Sequence, residues 1–290
     1  MSPGGGPGHG GRASLPQSDP IASLSHRVLA VVAVWLLACA AVGWVLVARD
    51  AADMRGMVSG LAEVGTGMPM PIGIPAFLAM WVAMMIAMMF PTAVPLVAAH
   101  HVVVRRRGEG ITPTVALVGG YLLAWAVAGL VPLTALTGFR QLADSAGDSR
   151  WLPVVAGLAL VLAGAYQFTR WKSVCLRTCR SPFAFLVEHD FGGGSRAAAR
   201  AGIVQGGYCL GCCWALMSVL LVVGLMNLVW MIALTLVFLA EKCLRRGWLV
   251  PRVIGTSLVV IGLAIMAYPS LLQLISGVAA GEMADMSPGA

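Results

Sequence analysis

Three cysteine residues stand close together in the segment Gly206–Trp214. Cys209, Cys212 and Cys213 are spaced i, i+3 and i+4, so on a helix their sulfur atoms share one face. Thiolates select soft ions such as Cu(I) and also suit Zn²⁺. A single cysteine in an apolar helix is usually a packing residue. Three on one face instead favour metal binding or redox chemistry.

A second cysteine pair, Cys175 and Cys179, has the spacing i, i+4 and is flanked by basic residues. Lys172, Arg177 and Arg180 place positive charge beside it, which favours the thiolate form that binds metal. We expect this pair to begin a long cytoplasmic loop that follows the fourth membrane span. There it would pass metal to or from the three-cysteine cluster.

Soft thioether ligands are concentrated earlier in the chain, in an apolar segment that predicts the second span. Met84, Met85, Met88 and Met89 lie there. A methionine stripe alone is usually core packing, so it indicates a site only beside other soft ligands. A histidine pair that begins at His100 follows, and we expect it in a loop on the cytoplasmic side.

The elements that must position these residues are membrane helices. Hydrophobic residues make up 59% of the 290-residue chain and charged residues 11%, whereas soluble domains carry about 25% charged residues. The apolar stretches are longer than barrel strands and do not alternate, so they predict helices. This composition excludes a soluble enzyme and predicts an all-α integral membrane protein.

Seven segments are long and apolar enough to span a hydrocarbon core of ~30 Å. They are residues 28–48, 75–98, 113–137, 151–170, 203–223, 227–243 and 252–274. The fifth and sixth form one apolar stretch, which we expect to turn at Gly224 and Asn227. Because the sixth segment is short, six spans are the alternative.

The charges between the spans predict the orientation. With seven spans, 15 of the 19 lysine and arginine residues fall on the side that holds the N-terminus. This bias places the N-terminus in the cytoplasm of a bacterial inner membrane and the C-terminus outside, and it accounts for the net charge of +7 without nucleic acid. The predicted organisation is a disordered cytoplasmic tail over 1–26, a seven-helix membrane domain over 27–275 and a flexible outer tail over 276–290. Thiols near the cytoplasm stay reduced, so structural disulfides are not expected.

Counting residues along the spans predicts that two sulfur clusters lie at one depth. At about 1.5 Å per residue, Met88 and Met89 lie about 10 Å above the inner surface of a ~30 Å core. Cys209 to Cys213 lie about 9 to 15 Å above the same surface. We therefore predict a mixed thiolate–thioether Cu(I) site, with Cys212 and Cys213 as principal ligands and Met88 or Met89 completing the coordination.

Four segments carry a family resemblance. They are Met80–Pro91, Tyr166–Pro182 with Cys175-Leu176-Arg177-Thr178-Cys179-Arg180, Gly207-Tyr208-Cys209-Leu210-Gly211-Cys212-Cys213-Trp214-Ala215-Leu216-Met217, and Met226–Lys242. Together they resemble the bacterial family of predicted metal-binding integral membrane proteins (domain of unknown function 2182), and the third segment is very specific. The resemblance implies a multi-pass membrane protein that binds metal. Some relatives have His near two positions where this chain has Thr178 and Gln205, so the resemblance does not carry a His-containing site to this chain.

We interpret the chain as a membrane protein that binds a soft metal, foremost Cu(I), for copper transfer, uptake or buffering. Its expected partners are the lipid bilayer, the metal ion, and a metallochaperone or receiving metalloprotein, with no nucleic acid. The sequence contains no nucleophile–His–Asp arrangement, P-loop or H-E-x-x-H helix, so catalysis is not the expected role. Two alternatives stay open: a thiol–disulfide oxidoreductase that uses Cys209 and Cys212 as a C-x-x-C pair, and a structural or assembly membrane protein with packing cysteines.

Overall fold

A computed structural model describes most of the chain between residues 20 and 271, and the described part is helical throughout. The described residues are 20–53, 74–135, 138, 152–188, 193–223, 227–244, 247 and 249–271. The helices are α1 (Pro20–Asp53), α2 (Ile74–Arg106), α3 (Thr112–Ala128), α4 (Leu152–Tyr166), α5 (Arg170–Arg180), α6 (Pro182–Glu188), α7 (Ser195–Val223), α8 (Leu228–Cys243) and α9 (Val250–Ala267). The predicted all-α class is therefore confirmed for these residues.

Five of the described helices are long and apolar enough to cross a membrane. They cover residues 29–51, 74–106, 112–135, 195–223 and 250–267. The segment predicted as the fourth span is not one straight helix, because α4 ends at Tyr166 and α5 continues at a bend of 62°. The predicted sixth span corresponds to α8, whose 16 residues are short for a crossing. Length and composition thus support five crossings, or six if α4 and α5 form one broken span.

Local signals explain where several helices begin. The Thr169 side chain accepts a hydrogen bond from the backbone N–H of Lys172 and caps α5. Asn227 caps α8 in the same way through the N–H of Trp230, so the turn expected near Asn227 separates α7 from α8. Such caps satisfy backbone donors that a helix start leaves unpaired.

α7 is the central element, and it packs against α3, α4, α5 and α8. Its buried residues include the three cysteines, and it approaches α3 so closely that a Cβ at Gly206 would meet Ala124 Cβ at 2.6 Å. α2 packs against α1, α3 and α8, and the Trp81 side chain donates a hydrogen bond to the Trp125 carbonyl of α3. The core of the protein therefore lies between α2, α7 and α8.

Four glycines join α4 and α9 in what we name the glycine seam: Gly157, Gly164, Gly255 and Gly262. A Cβ at Gly157 would lie 2.6 Å from the Gly262 carbonyl oxygen, and one at Gly164 would lie 2.7 Å from that of Gly255. Residues without a side chain let helix backbones touch, which is how helices associate inside membranes. The outer surfaces of the bundle expose large apolar side chains, including Val131, Leu162 and Val253.

Two expectations about loops are wrong. The chain after the fourth predicted span does not run as a loop, since it forms α5 and α6 before α7 begins. α2 extends to Arg106, so His100 and His101 lie within a helix, and His101 Nδ1 is 2.9 Å from Thr114 Oγ1. α1 begins at Pro20, within the segment assigned to the N-terminal tail. Residues 1–19 and 272–290, which hold most of both predicted tails, lie outside the described residues.

Candidate metal centre

α7 directs its three clustered cysteines into the protein core. Cys209, Cys212 and Cys213 are at most 2% exposed, as the i, i+3, i+4 spacing on one face requires. Cys212 Sγ lies 3.3 Å from Cys213 Sγ and 3.1 Å from the Cys209 carbonyl oxygen. All three are free thiols, so they are available as ligands.

A fourth cysteine joins this cluster from a different helix. The bend after α4 turns α5 onto α7 and brings Cys179 Sγ to 3.8 Å from Cys212 Sγ. The sulfur atoms of Cys179, Cys209 and Cys212 all lie within 4.8 Å of one another. We name these three residues the thiol triad. Cys179 therefore belongs to the cluster itself, whereas the sequence suggested a separate transfer pair in a loop.

The spacing of the thiol triad suits a single metal ion. With a metal–thiolate bond of about 2.3 Å, as for Zn²⁺, three sulfurs arranged in a plane around one ion lie about 4 Å apart. The observed separations, 3.8 Å for one pair and no more than 4.8 Å for any, need only small adjustments. Cys213 is a further sulfur within reach, because its Sγ lies beside that of Cys212.

One methionine of the second predicted span reaches the cluster. Met89 Sδ lies 4.0 Å from Cys209 Sγ, so α2 contributes a soft thioether at the edge of the thiol triad. Met84, Met85 and Met88 are fully buried in the same apolar core. Of the four methionines, Met89 is the one for which the structure describes a contact with a cysteine sulfur.

Polar groups surround the cluster on the side of α2 and α3. Lys242 Nζ lies 3.2 Å from Cys209 Sγ and 3.1 Å from Thr92 Oγ1, and Tyr121 Oη lies 3.1 Å from the same sulfur. Gln205 Nε2 lies 3.7 Å from Cys179 Sγ. A cavity of about 20 Å³ opens here, lined by Cys179 and Cys209 among others. A space of this size holds about one water molecule or ion.

The part of this chain that matches a known protein family contains every sulfur-bearing residue of the cluster. Residues 78–265 match the PpoB2 family, which is described as a copper chaperone family. The chain belongs to this family. It matches no curated protein and no solved structure. The family description names copper, and the thiol triad is compatible with it, because clustered thiolates suit soft metal ions.

In this member of the copper chaperone family, a buried ion pair lies near the cluster. Lys172 on α5 and Glu241 on α8 are 1% and 0% exposed, and Lys172 Nζ lies 2.7 Å from Glu241 Oε1. Gln167 Oε1 also accepts a hydrogen bond from Lys172. The pair ties the helix that carries Cys179 to the helix that carries Lys242.

Sequence reasoning missed this pairing. Glu241 and Lys242 are neighbours on α8, and neighbouring residues on a helix point about 100° apart. Glu241 therefore faces α5, while Lys242 faces the cysteines. The signal that could have separated them is this angular difference, together with a second basic residue, Lys172, just after the predicted fourth span.

Gly211 sets the distance between α5 and α7. A Cβ at this position would lie 2.7 Å from Cys175 Sγ, so Cys175 packs directly on the α7 backbone. Tyr166 at the end of α4 donates a hydrogen bond of 2.6 Å to the Gly211 carbonyl, and its ring meets Trp214 edge to face. Cys175 thus lies one helical turn from Cys179, beside the thiol triad.

Proposed function

We propose that this protein is a membrane-embedded copper chaperone that holds Cu(I) at the thiol triad and passes it to another protein. The observation that carries the proposal is the convergence of Cys179, Cys209 and Cys212 within 4.8 Å in a member of a copper chaperone family. Cu(I) is the transferred cargo, and Cys213 and Met89 are the additional ligands. A thioether favours Cu(I) over Zn²⁺, because zinc in proteins takes Cys, His, Asp or Glu.

Lys242 balances the charge of the loaded site. Three thiolates around Cu(I) leave a net negative charge, which is costly in an apolar interior unless it is paired. Lys242 Nζ lies 3.2 Å from Cys209 Sγ and is held by Thr92 on the other side. The ammonium group therefore stabilises the loaded complex without adding a competing metal ligand, since a charged lysine donates hydrogen bonds only.

Copper content tests the proposal directly. Purified protein in neutral detergent should bind Cu(I), and metal analysis measures the copper-to-protein ratio. A Cu(I) chelator should compete with the protein for the bound ion. A Cys209→Ser/Cys212→Ser variant should lose more than about a hundredfold in Cu(I) affinity, since even indirect contacts to a metal site contribute 10- to 100-fold. Cys243→Ser, at an exposed position, is the matched control. Retention of wild-type affinity by the double variant would refute a thiolate site.

The same measurement separates the two cysteines of α5. Cys179→Ser should weaken Cu(I) binding, as the double variant does, because its sulfur is part of the triad. Cys175→Ser should keep the bound copper and slow its exchange, as we propose that Cys175 relays the ion to or from Cys179. A loss of one bound copper per protein in the Cys175 variant would instead show that Cys175 is a ligand of stably bound copper.

We further propose that the chain crosses a bacterial inner membrane seven times with its N-terminus in the cytoplasm. The bias of 15 among 19 basic residues supports this orientation. Seven crossings require α4 and α5 to form one broken span and the 16-residue helix α8 to cross as well. All four segments that resemble the predicted metal-binding integral membrane proteins fall within residues 78–265, so we take the two family descriptions to name one group. A reporter fused after residue 290 should be active outside the cytoplasm, and one inserted between residues 188 and 195 should be active inside it. A cytoplasmic C-terminus would contradict seven crossings.

A thiol–disulfide oxidoreductase is the second candidate, because Cys179 and Cys212 are close enough for exchange between the two cysteine pairs. Such exchange needs a sulfur that a partner can reach, whereas Cys209, Cys212 and Cys213 are at most 2% exposed. Alkylation of membranes before and after reduction distinguishes the two functions. A trapped oxidised fraction supports the oxidoreductase, and thiols protected by added Cu(I) support the chaperone.

A further inference from the structure

A second cavity, separate from the thiol triad, opens at the bend between α4 and α5. Its volume is about 670 Å³, and residues 251 and 252 at the start of α9 close its far side. The lining residues are Gln167, Phe168, Thr169, Arg170, Lys172, Ser173, Leu176, Arg177, Arg180, Ser181, Pro251 and Arg252. The copper proposal makes no use of this space.

The charge of this cavity has one sign. Arg170 and Arg177 contribute guanidinium groups, and no acidic residue is among the described residues that line it. Arg180 and Arg252 also line the cavity, but Arg180 donates a hydrogen bond to the Leu244 carbonyl, so the positive charge assigned to the cavity is that of Arg170 and Arg177. The charge of Lys172 is already balanced by Glu241, which lies behind the wall. The arginines therefore set a positive potential in the cavity, which attracts an anion.

Hydrogen-bond donors converge on the same cavity. The first turn of the 11-residue helix α5 borders it, and helix N-termini attract anions through the helix dipole and backbone N–H groups. The Lys172 N–H is already bonded to the Thr169 side chain, so it is not one of these donors. Gln167 is 4% exposed and uses its Oε1 atom on Lys172, while its Nε2 atom has no hydrogen-bond partner among the described residues. A buried amide donor without a partner is costly unless a ligand completes it.

Exposed aromatic side chains lie on the same segments as the lining residues, and one of them, Phe168, lines the cavity. Trp171 is 78% exposed, and Phe168 and Phe183 are also exposed. Aromatic residues and arginines occupy the boundary between membrane and water, where lipid phosphates lie. The cavity thus combines positively charged lining residues with exposed aromatic residues on the same segments.

We propose that this cavity binds an anionic phosphate group, supplied by the headgroup of an anionic phospholipid or by a soluble phosphate. Guanidinium groups bind phosphate oxygens through paired hydrogen bonds. Gln167 Nε2 and the N-terminal amides of α5 supply further donors. The site is independent of copper, so its failure leaves the chaperone proposal intact.

Lipid retention by the full-length protein tests the site. The protein is purified in neutral detergent, incubated with equimolar phosphatidylglycerol and phosphatidylcholine, and bound lipid is measured by native mass spectrometry. We expect preferential retention of phosphatidylglycerol, reduced about tenfold in Arg170→Gln/Arg177→Gln. Arg196→Gln/Arg200→Gln is the control, since it removes equal charge from exposed residues of α7 outside the cavity.

A second arm identifies the source of the phosphate. Inorganic phosphate is titrated into lipid-free protein and followed by phosphorus NMR. Binding that is lost in Arg170→Gln/Arg177→Gln supports a soluble phosphate, while retention of phosphatidylglycerol that millimolar inorganic phosphate does not displace supports the lipid. Absence of both, or equal losses in the α7 control, would overturn the proposal.

Gln167→Glu sharpens the test without removing a contact. Glutamate keeps the oxygen that accepts from Lys172 but replaces the unpartnered amide with a carboxylate oxygen. We expect this variant to lose phosphate or phosphatidylglycerol binding about tenfold, while its Cu(I) affinity stays within about twofold of wild type. Unchanged phosphate binding with normal copper binding would overturn the role of Gln167 Nε2 as a donor to the anion.

Discussion

The glycine seam between α4 and α9 and the layer formed by α5, α7 and α8 bring helices together in different ways. In the seam, Gly157 and Gly262 let two backbones touch, and no charged side chain intervenes. In the other layer, Lys172, Glu241 and Lys242 are buried together with cysteine thiols. The glycine seam brings backbones into contact without side chains. The other layer buries ionisable groups, whose burial costs the most free energy.

This difference separates packing from chemistry. Small residues are sufficient for helices to associate in a membrane, so the bundle does not need buried charges for cohesion. Ionisable residues within apolar helices are expensive, and they mark sites of function by default. The layer around Cys212 is therefore better explained by the ion that we propose it binds than by the stability it confers.

The strongest test of this contrast is the removal of one member of the buried pair. Glu241→Gln leaves Lys172 charged without a counter-ion, and breaking a buried pair in this way costs about 3–5 kcal/mol of unfolding free energy. Thermal and denaturant unfolding in detergent measure the loss. Lys172→Met/Glu241→Met should recover most of it, because an apolar pair restores charge balance. A single variant as stable as wild type would show that the pair is solvated.

The seam should respond in stability alone. Gly157→Ala forces a methyl group against the Gly262 carbonyl at 2.6 Å, so we expect a loss of about 1–3 kcal/mol. Gly119→Ala on α3 is the matched control, since a Cβ there meets nothing within 4 Å. Cu(I) affinity of the folded Gly157 variant should equal that of wild type. A large loss of affinity would mean that the seam also shapes the metal site.

The smallest expected effect comes from Gly211, where packing and chemistry meet. Gly211→Ala pushes Cys175, and with it α5, away from α7. Because Cys179 is the triad ligand on that helix, Cu(I) affinity should fall about tenfold, as for other changes that shift a metal ligand indirectly. Gly207→Ala on the same helix is the control, because its Cβ would enter open space. Equal Cu(I) affinity in both variants would show that the distance between α5 and α7 does not affect copper binding.

Local patterns in the sequence were enough to predict the helical class and the inward-facing cysteines of α7. The hydrophobic run sets a membrane helix, and the i, i+3, i+4 spacing sets the shared face. Both depend only on residues that are neighbours along the chain. The break near Asn227 is predictable for the same reason.

What the sequence did not predict depends on contacts between distant segments. Cys179 reaches Cys212 because of a 62° bend at residues 167–169, where no proline and no glycine announces a break. The partners of Lys172 and Lys242 also lie on other helices. Of the methionine stripe, the sequence could not say which member would contact a cysteine, because that depends on how α2 is rotated against α7.

The division of the thiol triad between two helices has a consequence for biosynthesis. During translation α5 leaves the ribosome before α7, so Cys179 is made well ahead of the residues that complete its site. No three-sulfur site exists until α7 has been inserted and has packed against α5. Under the copper proposal, a partly synthesised or truncated chain would therefore hold copper only weakly, and acquisition of the ion would be a late step that follows helix assembly.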